Sequence, residues 1–375
     1  YRFYIRYQKS HWKVNAGDFY ALLGRGMVLS VLKNEDVLRE RTITGGDIVY
    51  HRGKLDLRIL AGVVTDETED QKWALAGGET SLEWLKDNYL GLHFSYINDM
   101  DSRLQLGQRL TYSLSASGNK LLKHFSYYAE VARLDFLENG SLAEDGYGLY
   151  SSLTFNYAHV TCLVEYKKYH HFNNEMNNPP IADRENEVSA ISNTEGVRFH
   201  VQYALFNPDL RFFINHGRYR EYEDKGDHTY GGLILEDLWD RLDISVSYGI
   251  KDILYPIRKF KVDLVYQISN RWSLEVSAWD KHYRDGEFYF KEQDHFLQVS
   301  LAPVLSLYFL HQYSHNRIMD LNHFYSGGIK LILKGITVIE LSLGTVRGGQ
   351  MCSGGQCFVV PPFKGVKFSI FHIFK

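Results

Sequence analysis

The chain has 375 residues, 45% of them hydrophobic and 23% charged, with a formal net charge of −3. That near-neutral balance argues against a nucleic-acid-binding surface or a polybasic membrane anchor. Tyr (27) and Phe (22) are abundant and Pro (7) is scarce, which disfavours a string of soluble modules joined by Pro-rich linkers. No apolar run approaches the roughly 20 residues of a membrane-crossing helix. Apolar residues are plentiful but diluted by a polar residue every few positions, as expected where alternate side chains face water. The composition therefore points to one large all-β unit spanning 1–375.

Taken in chain order, the sequence begins at Tyr1 without an initiator Met, a basic stretch or an apolar signal segment, the look of a processed or trimmed chain. Residues 1–32 supply one to three strands. Within them, Gly24 and Gly26 read as a strand kink or bulge, and Arg25 as a lumen-facing charge paired with Asp18 or Glu35. From residue 55, Leu55, Leu57, Ile59, Ala61 and Val63 oppose Asp56, Arg58 and Gly62. Leu242, Ile244, Val246, Tyr248 and Ile250 likewise oppose Asp243, Ser245, Ser247 and Lys251. Phe260, Val262, Leu264, Tyr266 and Ile268 oppose Lys259, Lys261, Asp263 and Gln267, and Trp272, Leu274, Val276 and Ala278 oppose Ser273, Glu275, Ser277 and Lys281. Period-two alternation means strands with one apolar and one polar face.

These segments are about 10 to 14 residues long, beyond the usual globular strand and matched to a tilted strand crossing a bilayer. The links between them alternate in length. Counted back from the C-terminus, Gly348–Pro362 is long and Lys334-Gly335 tight, Asn316–Asp320 longer and Ala302-Pro303 tight, with Asp285-Gly286 an ambiguous short link on the long side. Ser269-Asn270 is tight, Lys251–Ile257 long, Glu236–Asp240 moderate, Glu221–Asp227 long and Asn207-Pro208 tight. The longest, Asn173–Asn193, falls on the long side, as do Leu137–Asp145, Asn98–Ser102, Thr65–Gln71 and Lys33–Arg39. Short periplasmic turns and longer external loops are the habit of outer-membrane barrels. The pattern predicts an antiparallel, transmembrane, up-and-down β-barrel of about 20–22 strands in a bacterial outer membrane, with the lipid bilayer as its principal partner.

The last strand runs Lys-Gly-Val-Lys-Phe-Ser-Ile-Phe-His-Ile-Phe-Lys from Lys364. With Val366, Phe368, Ile370 and the terminal aromatic Phe374 in alternation, it resembles the C-terminal assembly signal of bacterial outer-membrane proteins. It departs from that pattern at His372 and in ending on Lys375. Near the other end, Gly17-Asp18-Phe19-Tyr20 followed by Leu23-Gly24-Arg25-Gly26-Met27-Val28-Leu29-Ser30 resembles a motif of uncharacterised outer-membrane barrel proteins of Gram-negative bacteria. The resemblance covers about a tenth of the chain and implies the class, not an activity.

Several constellations bear on function. Cys352 and Cys357 bracket Ser-Gly-Gly-Gln in an external loop; a disulfide is the favoured reading, because two cysteines without a nearby Cys or His pair fall short of a four-ligand metal site. Cys162, in phase with Val160 and Val164, reads as a small lipid-facing residue. His170-His171 with Glu165 and Glu175, and the acidic tip Asp66, Glu67, Glu69 and Asp70, read as interfacial or solvated groups, not metal ligands. His311 and His315 suit an aqueous rim. Tyr and Trp near strand ends suit interfacial girdles. No nucleophile elbow, His-Glu-x-x-His, phosphate loop or Cys-x-x-Cys-His is present, so neither enzyme activity nor a cofactor is expected.

Charges facing lipid would each cost about 2–4 kcal/mol at mid-bilayer for Lys or Arg. Asp56, Arg58, Glu165, Lys167, Lys259, Lys261, Asp263, Glu275, Lys281, Lys330 and Lys367 are therefore assigned to the lumen. Three functions fit a wide polar bore: a porin-like channel for small solutes constricted by the Asn173–Asn193 loop, a sheath around a partner such as a multihaem cytochrome, or a structural barrel anchoring surface partners. The first is favoured.

Overall fold

A computed structural model describes residues 3–372, apart from 35–38, 67–70, 101–106, 139–140, 175, 181–192, 206–209, 222–223, 253–255, 286–287, 316–321, 334–336, 348, 354–355 and 361–362. Nearly all of the rest is strand. β1 (Tyr4–Lys9) and β2 (Trp12–Phe19) form a first hairpin. There follow β3 (Ala21–Leu23), a 3-10 turn (Gly24–Gly26), β4 (Leu29–Val31) and the two-residue β5 (Lys33–Asn34). The wall continues with β6 (Arg39–Arg52), β7 (Leu55–Asp66), β8 (Gln71–Leu85), β9 (Asn88–Asp99), β10 (Gln108–Leu121), β11 (Phe125–Glu138), β12 (Ser141–Tyr157) and β13 (Val160–His170). After the connection 171–193 come β14 (Thr194–Leu205), β15 (Leu210–Glu221), β16 (Asp224–Leu238), β17 (Leu242–Asp252) and β18 (Pro256–Gln267). Then follow β19 (Trp272–Asp285), β20 (Phe288–Leu301), β21 (Leu305–His315), β22 (His323–Leu333) and β23 (Thr337–Val346). β24 (Gly349–Ser353) and β25 (Gln356–Val360) form a hairpin of their own before β26 (Phe363–His372).

The principal sheet has 22 strands. Apart from β5, which borders β6, they form one antiparallel meander: β1 pairs β2, β2 pairs β6, each strand from β6 to β23 pairs the next, and β23 pairs β26. This is the up-and-down topology of outer-membrane barrels. From β6 onward the wall strands run from 10 to 17 residues, long enough to cross a hydrocarbon core with tilt.

The two faces separate as the alternation requires. Ile59, Leu92, Leu114 and Val131 lie on the outer face at 52%, 56%, 56% and 58% exposure, a belt that is stable only against lipid. Their in-strand neighbours Arg58, Ser113 and Glu130 point inward and are half-buried or buried. At the end of the sheet with the short turns, Trp12, Trp84, Trp239 and Trp272 are all exposed, forming an aromatic girdle with Tyr157 and Tyr266. On the outer face of β20–β22, near the long-loop end, His311 stacks between His295 and His323 with ring centroids 5.4 Å apart on each side.

Candidate functional site

Not all of the chain lies in the wall. β3, the 3-10 turn and β4 fold back against the inner face of the sheet. Ala21, Leu23, Met27, Val28, Leu29 and Val31 are 2% exposed or less. Most of them pack on Ile43, Leu60, Val64, Trp73, Leu75 and Ile97, the inward residues of β6 to β9. Each such side chain removed from water contributes about 1.5–3 kcal/mol, enough to hold a short segment that has little secondary structure of its own. Gly24 and Gly26 are therefore not a kink or bulge in a wall strand, as the sequence suggests. They flank Arg25 in a tight turn inside the bore, with φ of +55°, +46° and +84° for residues 24, 25 and 26.

Arg25 does not pair with Asp18, and Glu35 lies outside the described residues. Its guanidinium sits 4.1 Å from the centre of the Tyr128 ring and donates to the Tyr150 hydroxyl at 3.3 Å. Asp18 instead accepts from the Thr44 hydroxyl at 2.5 Å and the Phe3 amide at 3.0 Å.

A second segment folds inward beside the first. In the connection after β13, Phe172, Asn174, Met176 and Asn177 are buried to 1% exposure or less. The two segments are laced together: the Ser30 amide donates to the Met176 carbonyl at 2.6 Å and the Asn178 amide to the Gly26 carbonyl at 2.8 Å. Asn174 Nδ2 donates to the Val28 carbonyl at 3.2 Å and to Thr111 Oγ1 of the wall at 2.8 Å, and Ser95 Oγ donates to Val28 at 3.0 Å. Gly148 on β12 provides the socket; a Cβ there would meet Met27 Cε and Phe172 Cε1, each at 2.9 Å. The expected inward fold of Asn173–Asn193 is thus present in its described part, 173–180 without Glu175. The contribution of 20–34 was not anticipated.

Beneath the insert, on its short-turn side, lies a cavity of about 630 Å³ between Leu22, Gly24 and Arg25 and the inner faces of β2 and β6 to β11. Asp56 and Arg58 line it together with Lys13, Asp47, Glu79 and His93. Arg58 Nε donates to Asp47 Oδ1 at 2.8 Å, and Asn15 Nδ2 to Asp47 Oδ2 at 2.9 Å. Asp56 contacts the His51 ring.

The remaining assigned charges lie as follows. Glu165 accepts from Tyr150 at 2.7 Å and pairs with Arg198, with Lys167 Nζ at 3.8 Å. Lys259, 8% exposed, lies opposite Lys281 across the β18–β19 ladder. Lys261 pairs with Asp263 at 2.9 Å, and Asp263 accepts from Ser277 at 2.8 Å. Glu275 accepts from Gln298 at 3.4 Å. Lys330 is exposed opposite Glu340, and Lys367 is exposed opposite Ser342. Phe368 and Ile370 are exposed on the other face of β26, and Phe374 lies outside the described residues.

The backbone register sets Cys352 opposite Cys357 across β24–β25; their side chains lie outside the described residues. Cys162 is a free thiol. His170 and His171 stack on each other and His171 pairs with Glu144 at 2.5 Å, while Glu165 is turned inward to Arg198. Residues 67–70 and Glu175 lie outside the described residues.

A lipid-facing apolar belt, short turns at one end and a polar interior define a bacterial outer-membrane β-barrel. The chain belongs to DUF6029, a family of unknown function, whose model matches residues 1–207 and 251–374. No curated protein sequence matches it significantly. Among solved structures it is similar to the copper transporter OprC, with a TM-score of 0.58 at 10% identity over 98% of this chain and 78% of that one. It is also similar to the ferric-catecholate import receptor Fiu of E. coli K12 (TM-score 0.52, 9% identity, 99% and 79%) and the ferric enterobactin receptor PfeA of Pseudomonas aeruginosa (0.52, 8%, 97% and 76%). At such identities the likeness is one of fold.

Proposed function

We propose that this barrel is an outer-membrane passage for small polar solutes whose bore is set from within by residues 20–34, 171–174 and 176–180. The observation that carries the reading is the insert itself. Two segments hydrogen-bonded to each other cover the inner face of β6 to β13, while charged groups such as Lys261, 51% exposed, line the inner face further round. Barrels of about 22 strands are wide enough that something must fill or narrow them. That the similar structures include import proteins by name supports transport in general and no particular solute.

Liposome swelling with sugars of graded size tests the proposal. Swelling with small sugars that stops at a sharp size limit is expected, with the limit moving upward when 21–31 are replaced by a short turn. A barrel that admits nothing in either form contradicts it and favours a sheath closed by a threaded partner such as a multihaem cytochrome, or a purely structural barrel.

A further inference from the structure

The cavity beneath the insert holds an arrangement that passage of solutes does not require. Glu79, His93 and Ser115 stand on three successive strands, β8, β9 and β10, all on the inner face. Glu79 and His93 are direct cross-strand partners. His93 Nδ1 lies 3.3 Å from Glu79 Oε2, and His93 Nε2 lies 2.9 Å from Ser115 Oγ. Acid, imidazole and hydroxyl thus follow one another in the order that activates a serine: the carboxylate fixes the tautomer with the proton on Nδ1, and the bare Nε2 faces the hydroxyl. All three residues line the same 630 Å³ cavity, a volume in the range of small-molecule sites.

Register explains how the ring reaches the serine. The residue directly opposite Ser115 on β9 is not His93 but Gly91. A Cβ on Gly91 would meet Ser115 Oγ at 2.4 Å and His93 Nε2 at 2.8 Å. The missing side chain is the notch through which the imidazole leans diagonally to the hydroxyl. Tyr128, also on the cavity wall, donates to Glu130 Oε2 at 2.5 Å and accepts from the Ser115 hydroxyl, which thus has two acceptors in reach, the Tyr128 oxygen and His93 Nε2. Arg25, stacked on Tyr128, brings a cation into the same cavity. Glu130 in turn accepts from Ser113 at 2.6 Å, so the groups around the serine are themselves held.

We infer that Ser115, His93 and Glu79 form a hydrolytic triad acting on short-chain carboxylic esters that enter the barrel. Ser115 Oγ would bond to the ester carbonyl carbon as its proton passes to His93 Nε2. Collapse breaks the bond to the alcohol, which leaves with that proton, and an acyl-serine remains. A water molecule then attacks the acyl carbon, giving its proton to His93, and the carboxylic acid and free Ser115 are restored. Arg25 is the cation that the tetrahedral oxyanion would meet. Polar and charged walls with Leu22 and Tyr89 among them favour a small polar ester over a long acyl chain.

The test uses the detergent-purified full chain, with folding of every variant verified by heat-modifiable migration. A fluorophosphonate probe should label Ser115, located by peptide mass spectrometry. p-Nitrophenyl acetate should turn over faster than in detergent alone. Ser115→Ala and His93→Ala should return both signals to background, and Glu79→Gln should lower turnover at least about tenfold. Gly91→Ala should abolish labelling by wedging ring and hydroxyl apart, while Ser245→Ala, on a distant strand, should leave it unchanged. Folded wild-type protein that is not labelled at Ser115, or turnover that survives Ser115→Ala, overturns the inference.

Discussion

Gly26 shows how narrowly one position controls the interior. Its φ of +84° is open to glycine and strained for other residues, and a Cβ would stand 2.5 Å from the Asn178 carbonyl oxygen, which belongs to the second inserted segment. Gly26→Ala should therefore loosen both segments at once, at about 1–3 kcal/mol. Limited trypsin digestion reads this, since cleavage after Arg25 should appear in the variant and be absent in the wild type. On the outer face, Val131→Arg should cost about 2–4 kcal/mol in urea-driven folding into vesicles, because the guanidinium would meet hydrocarbon. Gln298→Arg on the inner face, beside Glu275, should cost clearly less. Equal losses at the two positions would contradict the assignment of faces.

At the scale of the element, wall and insert obey different rules, and this decides what was legible in the sequence. The wall was legible because alternation records, residue by residue, which side faces lipid: Leu55, Leu57 and Ile59 against Asp56 and Arg58 needs no distant information. The connections reinforced it, since every second link between wall strands is short. The insert was not legible from its own residues. β3 and β4 have three residues each, too few for a period, and a glycine-rich turn reads equally well as a bulge.

Its signal lies in the wall instead. On the inner face of β7, Asp56 and Arg58 give way to Leu60, Gly62 and Val64; Trp73, Leu75, Ile97 and Leu134 repeat the anomaly on β8, β9 and β11. Apolar residues in the polar phase mean that something apolar covers them. The triad geometry was invisible for a related reason: Glu79, His93 and Ser115 are adjacent only through register, and the notch at Gly91 has meaning only once Ser115 is known to lie opposite. Leu60→Asn should cost about 2–5 kcal/mol by burying an amide against Leu23 and its neighbours. Hydrogen exchange at the Ser30 and Asn178 amides should report it as lost protection, and protection that stays intact would mean that the insert is not held by this packing.

At the scale of the molecule, the barrel combines a wall that only a membrane stabilises with a bore that is asymmetrically filled. Facing β6 to β13, the interior resembles a small apolar core bordered by paired charges; further round, Lys261, Asp263 and Glu275 remain within reach of water. Among the described residues several inner charges are paired, as in Arg58 with Asp47, Glu165 with Arg198 and Arg347 with Glu292; on the proposed reading the insert, more than net charge, sets what can pass. Single-channel conductance in planar bilayers, comparing wild type with a variant whose residues 21–31 are replaced by a short turn, tests this most directly. Discrete steps in the wild type and markedly larger steps in the variant are expected. Equal conductance in the two, with both folded, would contradict a bore set by the insert.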